Sequence, residues 1–313
     1  MMRENVSRHF YDLVVEFETY LKVERNFSER TIHIYKFELR KLIEYLIRTI
    51  GHDPSIETVD VKQLRGYIEY IQIERNYKAS TLSRIIATMK SFFRFCRERE
   101  YIKISPTDLI RIPKQARKLP IYLVYEELIQ LMDAPDKKTD IGIRDYAIIV
   151  TLSMTGIRRQ ELVNANVYDV DFNHETLKVF GKGAKERIVP LNQHVLNALR
   201  SYLDRRPITD TDALFVNMNN RKTSYRPMQE ARRLSSRSID KIVKKYIRVS
   251  GIRESKISPH KLRHTFATLL HLNDVDILEI QKLLGHAAIT STQIYTHTNP
   301  EKLKKAVDKL DKL

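Results

Sequence analysis

The first hundred residues carry apolar side chains at the spacing of amphipathic helices, and this pattern constrains the fold more than any other feature of the chain. Apolar residues recur every three or four positions, which places them on one face of an α-helix. Four stripes run from Phe10 to Leu21, from Ile32 to Leu46, from Val61 to Ile71 and from Leu82 to Cys96, and Ser28, Asp60 and Ser80 are the predicted N-caps of the last three helices. We find no internal repeat. The pattern predicts a small all-α domain.

A basic segment that contains prolines follows these helices. Its three prolines, each of which would interrupt a helix, are Pro106, Pro113 and Pro120. We therefore predict an N-terminal helical domain over 1–105, a linker over 106–120 and a second domain over 121–313. The linker also holds cations that are candidates for contact with a polyanion, namely Arg111, Lys114, Arg117 and Lys118.

The second half of the chain mixes short strands with helices. Alternating or β-branched residues predict strands over 167–172, 176–180 and 187–189. Helical periodicity predicts helices over 125–134, 141–154, 195–203, 238–249, 260–272 and 277–284. The predicted fold class is mainly α with a small antiparallel β-sheet, arranged in two domains.

Net charge is strongly positive and unevenly distributed. The chain has 55 Lys and Arg against 39 Asp and Glu, which gives a formal net charge of +16. Residues 1–110 contribute +3 (19 against 16) and residues 111–313 contribute +13 (36 against 23). Such an excess predicts a polyanionic partner, either a nucleic acid or an anionic membrane. The polar loop 217–237, with Arg221 and Lys222, is predicted to belong to that surface.

Composition excludes several other classes of protein. Cys96 is the one cysteine, so the chain can form neither an intramolecular disulfide nor a cysteine-based zinc site. The first ten residues lack the apolar core of a signal peptide, and no stretch approaches the roughly 18 apolar residues of a membrane span. We expect a soluble protein of a reducing compartment.

Two segments of the second half carry candidate functional cations. In TGIRRQEL (155–162), Arg158 begins a predicted helix, and Glu161 follows three residues later on the same face. This pair is either an ordinary salt bridge at a helix start or a device that fixes the arginine. In FGKGAKERIVP (180–190), Lys182 lies between two glycines in a turn between strands. It is either a solvated turn residue or a mobile proton donor.

Two segments nearer the C-terminus add further candidates. In SPHKLRHTFATLL (258–270), Ser258 is the predicted cap of a helix on which His260 and Arg263 share a face, an arrangement that suits a phosphate. His264 follows His260 at a spacing that also suits zinc, but no Glu completes an HExxH motif. In LLGHAAITSTQIYTH (283–297), His286 is followed nine residues later by Tyr295.

Taken in order, these segments resemble the active-site motifs of the tyrosine recombinase (phage integrase) family. The matching motifs are TG-x-R, GKG…R-x-V-P, H-x-L-R-H, and LGH followed nine residues later by Tyr. The resemblance covers nearly the whole chain, since 1–110 resembles the family's helical, SAM-like core-binding domain and 118–313 its catalytic domain. The layout is similar to that of compact Xer-type recombinases and transposon integrases.

The resemblance implies a catalytic set that makes a covalent link to DNA. The implied set is Arg158, Lys182, His260, Arg263, His286 and Tyr295, with Glu161 in a supporting role. Tyr295 would attack a phosphodiester and form a 3′-phosphotyrosyl link, and strand exchange would proceed through a Holliday junction. Arg158 and Arg263 would hold the phosphate, and Glu161 would orient Arg158. His260 would accept the tyrosine proton, Lys182 would protonate the leaving 5′-oxygen, and His286 would bind the phosphate.

The same resemblance implies partners and a location. We expect double-stranded DNA with a specific recombination site as substrate, and neither a metal nor another cofactor. A C-terminal helix near 300–313 would dock into the next subunit of a homotetramer on DNA. An accessory protein or a second recombinase is a further partner that fits this scheme. The expected location is the cytoplasm, at the nucleoid, with no membrane contact. The biological role would be chromosome dimer resolution, or integration and excision of a phage or mobile element.

Four other interpretations stay open on the sequence alone. The chain could be a DNA-binding relative without activity, a metal-dependent nuclease that uses His260 and His264, or a topoisomerase-like relaxing enzyme. A basic protein of a membrane surface is the fourth, although no amphipathic segment lies outside the predicted domain cores.

Overall fold

A computed structural model describes residues 10–52, 54–113, 121–181, 186–218, 232–252 and 257–285. The chain divides into two compact units, 1–118 and 119–313. Both are mainly helical, and a small sheet lies in the second unit, so the predicted fold class is confirmed. None of the helices within the described ranges is long and apolar enough to cross a membrane.

The first unit is a bundle of four helices around an aromatic core. These helices are α1 (Phe10–Val23), α2 (Glu29–Ile50), α3 (Val61–Ile73) and α4 (Ala79–Glu98), which agree with the four apolar stripes. The Ser28 side chain caps α2 by accepting a hydrogen bond from the Thr31 backbone, and Asp60 forms a capping box with Gln63 at the start of α3. Phe10, Phe17 and Phe92 are fully buried where α1 meets α4.

The predicted cap of the fourth helix is wrong. Helix α4 begins at Ala79, and its N-cap is Lys78, which makes no capping hydrogen bond through its side chain. Ser80 therefore lies inside the first turn of the helix. The preceding turn sets this start, because the Tyr77 backbone donates to the Ile71 carbonyl and the Leu82 backbone to that of Lys78.

The expectation that no internal repeat exists is also wrong, because the turns after α1 and α3 are copies of each other. The segment YLKVERNFSERTI (20–32) corresponds to YIQIERNYKASTL (70–82). Asn26 and Asn76 occupy the left-handed region, at φ 49° and 46°. The same backbone bonds recur, from Phe27 to Leu21 and from Tyr77 to Ile71. The first unit is therefore two similar helix–turn–helix pairs.

Packing of the first unit extends beyond its last helix. Ile102 and Ile110 are buried and belong to its apolar core. Ser105 and Thr107 are also buried, and their hydroxyls lie 2.9 Å apart. Residues 106–110, at the start of the predicted linker, therefore pack with the helices before them.

The second unit surrounds a central buried helix, α6, which packs against α5, α8, α9 and α10. The helices are α5 (Tyr125–Asp133), α6 (Asp140–Thr155), α7 (Arg159–Asn164), α8 (Gln193–Leu203), α9 (Ser236–Val249), α10 (Pro259–Leu272) and α11 (Ile277–Leu284). Each lies where periodicity or a motif predicts a helix. Ser258 occupies the predicted N-cap position of α10, with Pro259 in the first turn, but its side chain makes no capping hydrogen bond.

The sheet is antiparallel, in the order β1–β2–β3, and consists of β1 (Val170–Asp171), β2 (Thr176–Phe180) and β3 (Glu186–Pro190). The second and third strands agree with the prediction, and Leu177 pairs with Val189. The first strand is shorter than predicted, because Val167–Asp169 forms a 3₁₀ turn. The Asp169 carboxylate accepts the Asn166 backbone N–H and closes that turn.

Candidate active site

The structure describes four of the seven residues predicted for the catalytic site. Arg158, Glu161, His260 and Arg263 lie within the described ranges, whereas Lys182, His286 and Tyr295 lie outside them. Of the predicted polyanion contacts, Arg111 is described and exposed. The others, Lys114, Arg117, Lys118, Arg221 and Lys222, lie outside the described residues.

Gly156 makes the turn that places Arg158 at the candidate site. It follows the last residue of α6 in the left-handed conformation, at φ 61°, which a side chain would disfavour. A Cβ there would collide with the Phe266 ring of α10, and it would lie 3.0 Å from Leu284 of α11. The glycine of the TG-x-R motif therefore allows three helices to meet directly beside Arg158.

Glu161 is the centre of a buried ionic network. Its carboxylate, 2% exposed as a residue, accepts the Arg158 backbone N–H at 2.6 Å and the Arg158 guanidinium at 2.8 Å. Both terminal nitrogens of Arg187 also donate to it, the Nη2 at 2.7 Å. Glu161 therefore joins α7 to β3 and binds two guanidinium groups.

The charge state of Glu161 follows from these partners. Burial alone would raise the pKa of its carboxyl, but hydrogen bonds from Arg187 and from the Arg158 backbone outweigh burial and lower the pKa. The carboxylate is therefore ionised at neutral pH. An ionised glutamate between two arginines orients them and has no proton to transfer.

Arg263 is a buried link between two helix ends. Its Nη1 donates to the Gly156 carbonyl at 2.7 Å, and its Nη2 donates to the Leu284 carbonyl at 2.6 Å. The residue is 3% exposed. Carbonyls at helix C-termini carry partial negative charge, so a guanidinium is a favourable partner for both.

Arg158 and Arg263 meet at the C-terminal end of α11. Arg158 Nη2 donates to the Gly285 carbonyl at 3.2 Å, and Arg263 Nη2 donates to the neighbouring Leu284 carbonyl. Arg187 lies against the same turn, since a Cβ on Gly285 would lie 2.8 Å from its Cδ. Three arginines thus surround the residue that precedes His286.

His260 lies in the positive field of this cluster. It is exposed overall, yet the partial burial of its ring is the largest cause that lowers its pKa, and the charges of Arg263, Lys261 and Arg158 act in the same direction. The imidazole is therefore neutral at pH 7 and can accept a proton. The His260 side chain of α10 and Arg158 are electrostatically coupled across 102 residues of sequence.

The alternative metal pair, His260 and His264, lies one helical turn apart on α10. The two rings are 5.4 Å apart in an edge-to-face arrangement. Burial and the neighbouring His260 lower the pKa of His264 to about 4. Within the described ranges, no group of three His, Cys, Asp or Glu side chains is placed to hold a metal ion.

Sequence reasoning missed the role of Arg187. Its position was visible as the arginine of the R-x-V-P motif, but a lone arginine in a strand is typical of a solvated residue. Only the fold brings β3 beside α7, 26 residues earlier in the chain. The carbonyls of Gly156, Leu284 and Gly285, which also bind the arginines, leave no signal in the sequence.

Comparison with known proteins agrees with this architecture. The model of the phage integrase family matches residues 122–302, a range that contains all the predicted catalytic positions. The model of the phage integrase N-terminal SAM-like domain matches residues 14–100. Fold and site together thus define an integrase-type enzyme with a separate helical unit.

Individual relatives are similar over almost their full length. Tyrosine recombinase XerD of Staphylococcus epidermidis is 34% identical, over 94% of this chain and 96% of that protein. Tyrosine recombinase XerC of Pelotomaculum thermopropionicum is 35% identical, over 96% of this chain and 97% of that protein. The XerH site-specific recombinase, solved in a pre-cleavage complex with its difH substrate, is 26% identical over 93% of this chain and 83% of its own, with a TM-score of 0.71. The chain belongs to the phage integrase family, the tyrosine-type site-specific recombinases.

Proposed function

We propose that this recombinase breaks and rejoins DNA through a covalent link to Tyr295. The tyrosine oxygen attacks the phosphorus of one phosphodiester, and the bond from that phosphorus to the 5′-oxygen breaks. The products are a 3′-phosphotyrosyl end and a free 5′-hydroxyl. A 5′-hydroxyl from a second strand then attacks the link and releases the tyrosine. Each step exchanges one phosphodiester for another, so strand exchange through a Holliday junction needs no ATP.

The observation that carries this proposal is the fixed cluster of guanidinium groups one residue before His286. Arg158 and Arg263 donate to adjacent carbonyls at the end of α11, and Arg158 is held by Glu161, which Arg187 binds in turn. The transition state gains negative charge on the non-bridging phosphate oxygens. Donors that are already in position stabilise such charge without reorganising, commonly by a few kcal/mol each.

The two arginines have different parts in this scheme. The Arg158 side chain is 41% exposed, so its guanidinium can meet a phosphate while Glu161 holds it. Arg263 is buried and bound to two carbonyls. In the proposal, its positive charge adds to that of Arg158 in stabilising the phosphate.

Proton transfers in the proposal use His260 and Lys182. A free tyrosine has a pKa near 10, so forming its phenolate at pH 7 costs about 4 kcal/mol. A neutral His260 within a cationic cluster can take that proton, because the positive charges stabilise the phenolate as it forms. Lys182 would give its proton to the leaving 5′-oxygen, and His286 would donate a hydrogen bond to the phosphate.

The proposed substrate is double-stranded DNA with a specific site, bound by a homotetramer that exchanges C-terminal helices near 300–313. An accessory protein or a second recombinase completes the scheme, and the site of action is the cytoplasm, at the nucleoid. The role is chromosome dimer resolution or the movement of a phage or mobile element. The Xer names of the relatives support the DNA substrate. Deletion of 300–313 tests the assembly, and an active monomer would contradict it.

The test of the chemistry is a suicide substrate, a nicked duplex whose cleavage releases a short fragment and traps the intermediate. The duplex would be selected by binding from the source genome. Wild-type protein in EDTA should form an adduct that survives denaturant. Tyr295→Phe should bind the duplex and form none, whereas Tyr125→Phe, a control at an exposed tyrosine of the same unit, should behave as wild type. Cleavage without an adduct, or cleavage abolished by EDTA, would contradict the proposal and favour the metal-dependent nuclease.

A further inference from the structure

A cavity of about 390 Å³ lies in the first unit, among residues that the strand-transfer chemistry does not use. It is bounded by α2, α3 and the turn that follows α3. Its volume falls in the range of small-molecule sites, about 300 to 1,000 Å³. Its lining is unusual for a helical bundle, because it combines four tyrosines with three cations.

Aromatic rings form one part of the cavity wall. The Tyr45 ring centroid lies 5.3 Å from that of Tyr67 and 5.2 Å from that of Tyr70. Tyr45 and Tyr70 are partly exposed, so they present ring surface that the core does not cover. A planar ligand can stack on such surfaces whatever its hydrogen-bonding edge.

Three cations form another part of the cavity wall, and each of them contacts a tyrosine. The Arg48 guanidinium lies 4.7 Å from the Tyr70 ring centroid. Arg75 Nε donates to the Tyr70 hydroxyl at 2.9 Å, and Lys41 Nζ donates to the Tyr77 hydroxyl at 3.0 Å. Against these three positive charges the lining has one carboxylate, that of Glu44. The wall is therefore suited to an anion.

We propose that this cavity binds a nucleotide, with the base against Tyr45 and Tyr70 and the phosphate beside Arg75 and Lys41. A planar ring and an anion must belong to one ligand to use both walls, and a nucleotide combines them. The nucleotide can be free, or it can be an unpaired nucleotide of DNA that has left the base stack. This inference is independent of the role proposed for Tyr295.

The chain supplies its own control, because the turn after α1 repeats the turn after α3. Arg25 and Tyr20 correspond to Arg75 and Tyr70, and both arginines contact the hydroxyl of the tyrosine five residues earlier. Arg25 and Tyr20 do not line the cavity. Arg25→Gln therefore makes the same change of charge in the same turn without touching the proposed site.

Equilibrium dialysis of full-length Tyr295→Phe protein with labelled deoxyadenosine monophosphate tests the proposal. The nucleotide should bind at least tenfold more tightly than deoxyadenosine or inorganic phosphate. Arg75→Gln should weaken binding about tenfold without lowering the melting temperature, and Arg25→Gln should have no effect. Equal binding of phosphate and nucleotide, or equal affinities of Arg75→Gln and Arg25→Gln, would overturn the site.

A second measurement separates the two sources of the nucleotide. A duplex with one unpaired adenosine is compared with the fully paired duplex by competition for the same protein. If the unpaired nucleotide raises affinity for the duplex and Arg75→Gln removes that increase while Arg25→Gln keeps it, the site binds an unpaired nucleotide of DNA. If Arg75→Gln weakens only the binding of the free nucleotide, the site binds a soluble ligand. If Arg75→Gln and Arg25→Gln behave alike in both measurements, the inference is overturned.

Discussion

Glu38 in the first unit and Glu161 in the second are both buried and both paired with arginine, but they differ in how completely they are bound. Glu38 meets Arg84 at 2.8 Å through one oxygen, and its other oxygen has no hydrogen-bond partner among the described residues. Glu161 receives four hydrogen bonds, from Arg158 and Arg187, on its two oxygens. Arg84 is 42% exposed, whereas Arg187 is 15% exposed.

This difference separates a stabilising pair from a positioning network. A carboxylate bound on one side leaves its arginine free to rotate and to exchange with water, so the pair contributes mainly to stability. A carboxylate bound on both sides fixes its arginines in direction as well as in place. Fixed cations are what a reaction needs when charge develops on a phosphate.

The largest effect is expected from Arg263→Met. The change removes a charge from the cluster and leaves two buried helix-end carbonyls, of Gly156 and Leu284, without that donor. We expect adduct formation to fall about 10³-fold and the free energy of unfolding to fall by about 3 kcal/mol. Suicide-substrate kinetics and chemical denaturation measure the two effects. An adduct rate within tenfold of wild type would contradict a role for this arginine in the cluster.

The pH dependence of adduct formation should reflect His260. Burial and nearby positive charges lower its pKa, so the imidazole loses its proton at a lower pH than usual. If neutral His260 is the base, the rate rises with pH and levels off, with a midpoint below about 6.5. His260→Gln should remove this rise of the rate with pH and slow the reaction about 100-fold. A midpoint above 7, or the same rise with pH in the variant, would exclude His260 as the base.

Arg84→Gln should affect stability and leave the chemistry intact. The change removes the ionic partner of the buried Glu38 carboxylate, so we expect a loss of about 1 to 3 kcal/mol in the free energy of unfolding. Urea denaturation measures this loss. Lys62→Gln, at an exposed position of the same unit, is the control and should change stability by less than about 0.5 kcal/mol. Equal losses in the two variants would show that the Glu38 pair contributes nothing.

The smallest effect contrasts two serines near helix starts in the first unit. Ser28 caps α2 through its side chain, so Ser28→Ala should lower the free energy of unfolding by about 1 kcal/mol. Ser80 lies inside the first turn of α4 and is exposed, so Ser80→Ala should change stability by less than about 0.5 kcal/mol. Denaturant titration of both variants measures the difference. A larger loss at Ser80 would contradict the start of α4 at Ala79.

Local patterns predicted most of the fold, because each helix carries its own apolar stripe and often its own cap. Local patterns fail where contacts with other residues determine the secondary structure. Val167 to Asp169 has strand-like residues, but the Asp169 carboxylate turns the chain. The second copy of the helix–turn–helix was hidden because only part of its residues match, although the Asn76 turn repeats that of Asn26.

The candidate site was predictable only in part. Motif order supplied Arg158, His260 and Arg263, and Glu161 was visible as a neighbour of Arg158 on one helix face. The role of Arg187 was not, because its contact with Glu161 needs the sheet to be placed against α7. The carbonyls that bind Arg263 lie 107 residues before it and 21 residues after it. No local pattern encodes such contacts.

The central claim is that the doubly bound Glu161 network positions the cations of the site, and Arg187→Gln tests it most directly. Adduct formation on the nicked duplex would be timed at saturating protein for wild type, Arg187→Gln and Arg84→Gln. The claim predicts that Arg187→Gln is about 100-fold slower with unchanged DNA affinity, while Arg84→Gln reacts at the wild-type rate. An Arg187→Gln rate within a few-fold of wild type, or equal slowing by the two variants, would contradict it.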